Sequence, residues 1–250
     1  MDIFWGVYIA LMGLAAGSFL NVLIYRMPMN ISPLRGRSAC PACGHALSFG
    51  DLLPVASFFA LRGRCRYCGG RISPRYPAVE LLNAFLWVML YIVYGLSLPA
   101  LLYAAVCSTL VVLAGIDYDH KLIFDRFHVI IGAAGLLFLI FVRELPWHSR
   151  VIGFFAVSVP LFVIAVLTGG VGEGDIKLFA VCGLLLGWQR VLLAFVLSAV
   201  LAAAFGVVLM MRGKAERKSE IPFGPFISAA CILSILAGDA MINAYLSLLL

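Results

Sequence analysis

Apolar residues run almost unbroken through eight stretches: Ile3–Tyr25, Ala78–Leu98, Pro99–Ile116, Phe127–Val142, Val151–Thr168, Ile176–Trp188, Val191–Met211 and Ile221–Leu250. About 20 such residues cross a bilayer core as a helix. The pattern therefore predicts an all-α, polytopic membrane protein of about eight transmembrane helices. Pro160 falls inside the fifth run and predicts a kink there. The one long polar stretch, 26–77, separates the first helix (1–25) from a seven-helix membrane domain (78–250). From Asp175 to Trp188 the sixth run offers ~20 Å of helix, against a core of about 30 Å. Either this helix extends past Trp188, or Asp175 sits in a water-filled cavity.

Composition sharpens the class. Of 250 residues, 64% are hydrophobic and 12% charged, more apolar surface than a soluble domain of this length can hide. The formal charge of +6 matters through its placement. Fifteen of the 18 Lys and Arg fall in odd-numbered loops, from Arg26 to Lys214, Arg217 and Lys218, and only Arg143, Arg150 and Arg190 in even ones. The positive-inside rule then puts the odd loops in the cytoplasm and both termini outside. Such an excess is what topology demands, and it does not call for nucleic acid as a partner. The first run has only Asp2 before it and Arg26 after it, the reverse of a cleaved signal peptide, so it is expected to be retained.

Two groups of acids stand where apolar runs begin or end. Asp117-Tyr118-Asp119-His120 closes the third, and Gly172-Glu173-Gly174-Asp175-Ile176-Lys177 opens the sixth. Carboxylates at membrane depth are costly and mark function by default; the flanking glycines allow close backbone approach and a non-helical lead into the helix. The charge count places both groups at the cytoplasmic face. Two acids at one depth beside water can share a proton, one activating water while the other polarises a peptide carbonyl. They can also bind or relay a cation, as in a transporter. Periodicity and charge leave both open. A third class, a non-catalytic assembly factor that docks partners through the polar loop, is compatible with the same features.

That loop holds Cys40-Pro-Ala-Cys43-Gly and Cys65-Arg-Tyr-Cys68-Gly, 21 residues apart. Two C-x-x-C knuckles, each followed by glycine, suit tetrahedral thiolate ligation of zinc by Cys40, Cys43, Cys65 and Cys68, at a spacing slightly longer than usual for a zinc ribbon. Disulfides would need an oxidising compartment, which the charge count denies. Cys107, Cys182 and Cys231 lie inside apolar runs as packing residues, and His45 reads as a loop histidine. Arg26 reads as an interfacial anchor and Glu80 as an acid favouring a helix start near Pro77. Glu173 is expected to face water, and Glu144 and Asp239 to snorkel. No G-x-G-x-x-G stands in a βαβ context, so a Rossmann-type cofactor domain is not expected.

Gly172-Glu-Gly-Asp175-Ile-Lys177-Leu resembles the G-x-G-D motif of intramembrane aspartyl proteases, in the form found in type IV prepilin peptidases. Four further stretches resemble that family in order: Ala16-Gly-Ser-Phe-Leu-Asn-Val-Leu-Ile-Tyr-Arg26-Met-Pro28, the cysteine knuckles, Ile72-Ser-Pro-Arg-Tyr-Pro-Ala-Val-Glu80, and Pro222-Phe-Gly-Pro-Phe226. The resemblance implies a bifunctional enzyme of the bacterial inner membrane. It would cleave the leader of prepilins or pseudopilins at the cytoplasmic face and methylate the new N-terminal amine with S-adenosylmethionine. The dyad falls on Asp117 and Asp175, with Asp119 and Asp125 as weaker matches; Glu80 and Arg26 become candidates for methyl transfer. Where the family commonly has Ile-Pro-Asp, this chain has Ile123-Phe124-Asp125, a loss of proline expected to alter loop rigidity.

Overall fold

The computed structural model describes residues 2–142, 144–213 and 221–249. Arg143, and all but the first two residues of the charged linker expected over 212–220, including Lys214, Arg217 and Lys218, lie outside the described residues. Every apolar run is helical. The helices are α1 (Ile3–Arg26), the short α2 (Ala56–Ala60), α3 (Arg75–Tyr94), α4 (Leu98–His120), α5 (Asp125–Phe141), α6 (Trp147–Ala156), α7 (Ser158–Thr168), α8 (Glu173–Leu186), α9 (Trp188–Met211) and α10 (Gly224–Leu249). Among the described residues there is no strand, only isolated antiparallel bridges Ala39–Ala46 and Arg64–Arg71 in the cysteine loop. Among the described residues six segments are long and apolar enough to cross a membrane: α1, α3, α4, α6 with α7, α9 and α10. Of the eight runs, those left are α5 and α8, of 17 and 14 residues.

The chain divides into two compact units, Met1–Val112 and Leu113–Leu250. In the first, α1 and α3 touch through glycines: a Cβ at Gly13 would lie 2.7 Å from the Ala84 Cα, and one at Gly17 2.7 Å from the Glu80 Cα. Such close backbones favour dispersion contacts and side-chain-to-backbone bonds in lipid. Asn83, fully buried, donates to the Gly13 carbonyl at 2.8 Å and accepts from the Ser108 hydroxyl at 2.8 Å. Trp87 Nε1 donates to that hydroxyl at 3.0 Å, and Asn21 donates to the Tyr76 carbonyl at 3.0 Å. The polar atoms of this membrane core thus satisfy one another, as a water-free interior requires. The turn from α3 to α4 falls at Gly95, φ 66°, slightly earlier than the apolar runs suggest, and Pro99 sits in the first turn of α4, where its missing N–H is harmless.

In the second unit the break in the fifth run comes at Val157, between α6 and α7. Pro160 causes it from downstream, since its ring clashes with the carbonyl four residues earlier, at Ala156. Gly153 on α6 lies against Gly183 on α8, with no room for a Cβ on either. The helix α8 ends at Leu186; Gly187, at φ 79°, turns the chain and α9 begins at Trp188. Extension of the sixth helix past Trp188 is therefore excluded. Its C-terminal carbonyls meet Arg150, 1% exposed, whose Nη1 donates to Leu185 and, at 3.5 Å, to Leu184. A guanidinium there offsets the negative end of the helix dipole, and it also lies 5.2 Å over the Phe138 ring. Asp239 does not merely snorkel: it pairs with Arg190, joining α10 to the start of α9. Cys107, Cys182 and Cys231 are buried packing residues, as expected.

Candidate active site

The acids at the ends of α4 and α8 come together. Asp117 lies in the last turn of α4 and is buried, 5% exposed. Its Oδ2 accepts the backbone N–H of Gly224, the first residue of α10, at 2.9 Å. Asp175 is the third residue of α8, behind the extended Gly172 (φ −68°, ψ 137°). It is half-buried, and the charges of the two carboxyls act on each other. Room is short at both glycines flanking this arrangement, more so at Gly224. A Cβ at Gly172 would come within 3.2 Å of the Asp175 Oδ2, and one at Gly224 within 2.7 Å of the Asp117 Oδ2. Gly224→Ala must therefore push Asp117 or the start of α10 aside. We expect any activity that depends on Asp117 to fall about 100-fold in this variant, as read by single-turnover assays.

The other acids of the region stand apart from this pair. Asp119 is exposed, and Asp125 opens α5 at the surface. The Asp125 Oδ1 pairs with Lys177 Nζ at 3.2 Å, and Lys177 also pairs with Glu173 at 2.7 Å, so Glu173 faces water but is engaged there. The Lys177–Asp125 pair ties the start of α8 to the start of α5. Phe124 occupies the N-cap of α5 at φ −77°, ψ 137°, within the range a proline ring fixes. Its ring meets Phe127 edge-on at 6.2 Å and the Arg126 guanidinium at 5.5 Å. These ring contacts stand where the family's proline ring would be. Phe124→Pro should keep activity and raise stability by about 0.5 kcal/mol through the unfolded chain, measurable by thermal unfolding in detergent.

In the first unit the four cysteine sulfurs lie within 4.8 Å of one another. The two knuckles are alike: Gly44 and Gly69 both sit at φ 70° and donate to the Cys40 and Cys65 carbonyls at 2.8 and 2.9 Å. Backbone N–H groups of Cys68 and Tyr67 point at the Cys65 sulfur and bring its thiol down to about 7, while the crowded Cys68 thiol is held up at about 11. A donor set of four soft sulfurs, with amides turned toward one, fits a tetrahedral metal. His45 is not among them; it stacks on Tyr67 at 3.6 Å. Asp51 braces the long spacer, accepting from Arg66 Nε at 2.8 Å, Ser48 Oγ at 2.7 Å and the Tyr67 hydroxyl at 3.0 Å. Arg66 foremost, then Ser48, holds its carboxyl well below the usual range.

Arg26 and Glu80 have specific partners within this loop. The Arg26 guanidinium gathers three carbonyls, from Ser32 (3.2 Å), Arg35 (2.9 Å) and Arg37 (2.9 Å). Glu80 lies one turn beyond the start of α3, which begins at Arg75, so an effect on the helix dipole does not explain it. It is buried, 7% exposed, and its Oε2 accepts the Val55 N–H at 2.7 Å. Val55 itself is a β-branched residue at φ 60°, ψ −48°, a strained conformation, closed by the Ala56 N–H to the Pro54 carbonyl. Sequence reasoning assigned no partner to Gly224, Arg26 or Glu80 and did not single out His128; the Pro222–Phe226 motif was the one pointer to Gly224.

Fold and site together define a helical, multi-pass membrane protein with a carboxyl pair at the ends of two of its helices and a thiolate cluster in its loop. Residues 11–94 match the bacterial peptidase A24 N-terminal domain, and residues 104–207 match the type IV leader peptidase family. A prepilin leader peptidase/N-methyltransferase of Bacillus subtilis is 37% identical over 95% of this chain and 96% of its own. Proteins of the same description from Aeromonas salmonicida and Pseudomonas putida are 33% and 34% identical, over 96% and 95% of this chain and 93% and 92% of theirs. The chain belongs to the type IV leader peptidase family. No solved protein structure matches it.

Proposed function

We propose that Asp117 and Asp175 form an aspartyl dyad that cleaves the leader of type IV prepilins or pseudopilins. The observation that carries this reading is the buried Asp117 carboxyl, pinned by the Gly224 amide and near enough for its charge to bear on Asp175. Two acids so placed share one proton. The ionised member takes a proton from water, which attacks the scissile carbonyl, while the protonated member hydrogen-bonds the developing oxyanion. Collapse of the tetrahedral intermediate breaks the C–N bond, and the water's proton passes to the leaving amine. Nothing found favours the cation-transporter reading of the same acids, nor the assembly-factor reading.

The second activity is methylation of the new N-terminus, with S-adenosylmethionine as donor. We place it in the loop 26–77, where Cys40, Cys43, Cys65 and Cys68 would hold a structural zinc ion that cross-links the two knuckles. Arg26 and Glu80 serve it by shaping the loop, since their polar groups are engaged with its backbone. The enzyme would work in the bacterial inner membrane, with dyad and cysteine loop at the cytoplasmic face and both termini outside. Reconstituted protein, a full-length prepilin and labelled S-adenosylmethionine test the whole reading, with leader cleavage and methyl incorporation scored separately on wild type and dyad variants. Cleavage by both single Asp→Asn variants would sink it.

A further inference from the structure

His128 on α5 is buried, 7% exposed, yet no role follows for it from the dyad. Its Nε2 lies 3.1 Å from the carbonyl oxygen of Gly174, the residue before Asp175. Its Nδ1 is 3.5 Å from the Asp125 Oδ1 and has no closer hydrogen-bond partner. A carbonyl only accepts, so the contact at Nε2 is a hydrogen bond only if Nε2 carries the proton. Gly174 is gripped from a second side as well: a Cβ there would sit 3.0 Å from the Ile123 Cβ. Around these contacts Lys177 spans Glu173 and Asp125. The charged groups about the imidazole are thus Asp125 on its own helix and Lys177, with Glu173 behind it, on α8.

We propose that His128 is a positioning residue of the peptidase, whose Nε2–H holds the Gly174 carbonyl and so fixes the first turn of α8 and the direction of the Asp175 carboxyl. This rests on the reading of Asp175 as a dyad member. The imidazole touches neither substrate nor the reacting atoms. Its bond to the α8 backbone is made in every protonation state except the Nδ1–H tautomer, and the cation adds a second bond to Asp125.

The test compares His128→Ala, His128→Gln and Asp175→Asn in reconstituted protein cleaving a full-length prepilin. A glutamine amide N–H can reach where Nε2–H stands. We expect His128→Ala to lower kcat about 30-fold with KM within two-fold, because a misdirected carboxyl costs turnover rather than binding. His128→Gln should return kcat to within about three-fold of wild type. If Asp175→Asn abolishes cleavage while His128→Ala keeps wild-type kcat, the positioning role is wrong and the dyad stands. If Asp175→Asn still cleaves, the dyad reading itself fails. Imidazole 15N spectra of the wild type, with His128 assigned by difference from the Gln variant, decide the matter should the Ala variant misfold. A proton on Nε2 supports the role, and an Nδ1–H tautomer overturns it.

Discussion

Asp117→Asn and Asp175→Asn each reduce leader cleavage by about 10⁴-fold, while methylation of pre-cleaved pilin continues at the wild-type rate. The size follows from the chemistry: an amide neither accepts a proton from water nor shares one with its partner. The shape of each site should survive, because asparagine keeps an oxygen that can accept the Gly224 N–H now bound to Asp117 at 2.9 Å. Methylation should persist because the cysteine loop, with Arg26 and Glu80, is bonded within Met1–Val112, while both acids belong to Leu113–Leu250. The double variant should be no worse than either single one, since the two act as one unit. Time courses on prepilin, read by the shift of the processed pilin on gels, give the first number. Methyl label on pre-cleaved pilin gives the second. Loss of both activities in a folded single variant would mean that the acids are not confined to peptide hydrolysis.

Cys40→Ser/Cys43→Ser has the opposite profile: bound zinc falls from one equivalent to none, methylation is lost by more than about 100-fold, and cleavage stays within about three-fold of wild type. Structural zinc contributes ~10–16 kcal/mol of apparent binding energy in small thiolate modules, and that energy is folding energy. Besides the metal, the His45–Tyr67 stack joins the two knuckles, with little regular structure behind it. Among the described residues it has no strand, one five-residue helix, one short 3₁₀ turn and two isolated bridges. The polar tie through Asp51 reaches only the second knuckle, at Arg66 and Tyr67. Zinc content by atomic emission and limited proteolysis of the loop report the loss directly. The bond of Asp117 to Gly224 and that of His128 to Gly174 both lie within Leu113–Leu250, and cleavage is therefore expected to survive.

The helices were legible because a bilayer imposes a length and a composition on each one, and Ile3–Arg26 or Trp188–Met211 could hardly be read otherwise. Asp117 and Asp175 were legible for the related reason that ionisable groups are rare beside such runs. Contacts between distant segments were not. The Gly224 amide that binds Asp117, 107 residues away, is a backbone group with no side chain to advertise it. His128 looks like any polar residue at the start of an apolar run until Gly174 is placed beside it. Glu80 read as a helix-start acid because the start of α3 seemed to lie at Pro77; two residues more of helix moved it to a position where its bond to the Val55 amide, not the helix dipole, accounts for it. The sixth helix could be continued or stopped at Trp188 on hydropathy alone, and Gly187 decided it through a backbone angle.

Arg150 bears on how this protein is made. A guanidinium that is 1% exposed and bonded to the last carbonyls of α8 gains these partners only once those carbonyls exist. Yet α6 leaves the ribosome first, and α8, with 14 residues, is too short to be held across a bilayer by its own hydrophobicity. Each supplies what the other lacks. The stretch from Trp147 to Leu186 is therefore expected to become stable in the bilayer as one packed unit rather than helix by helix.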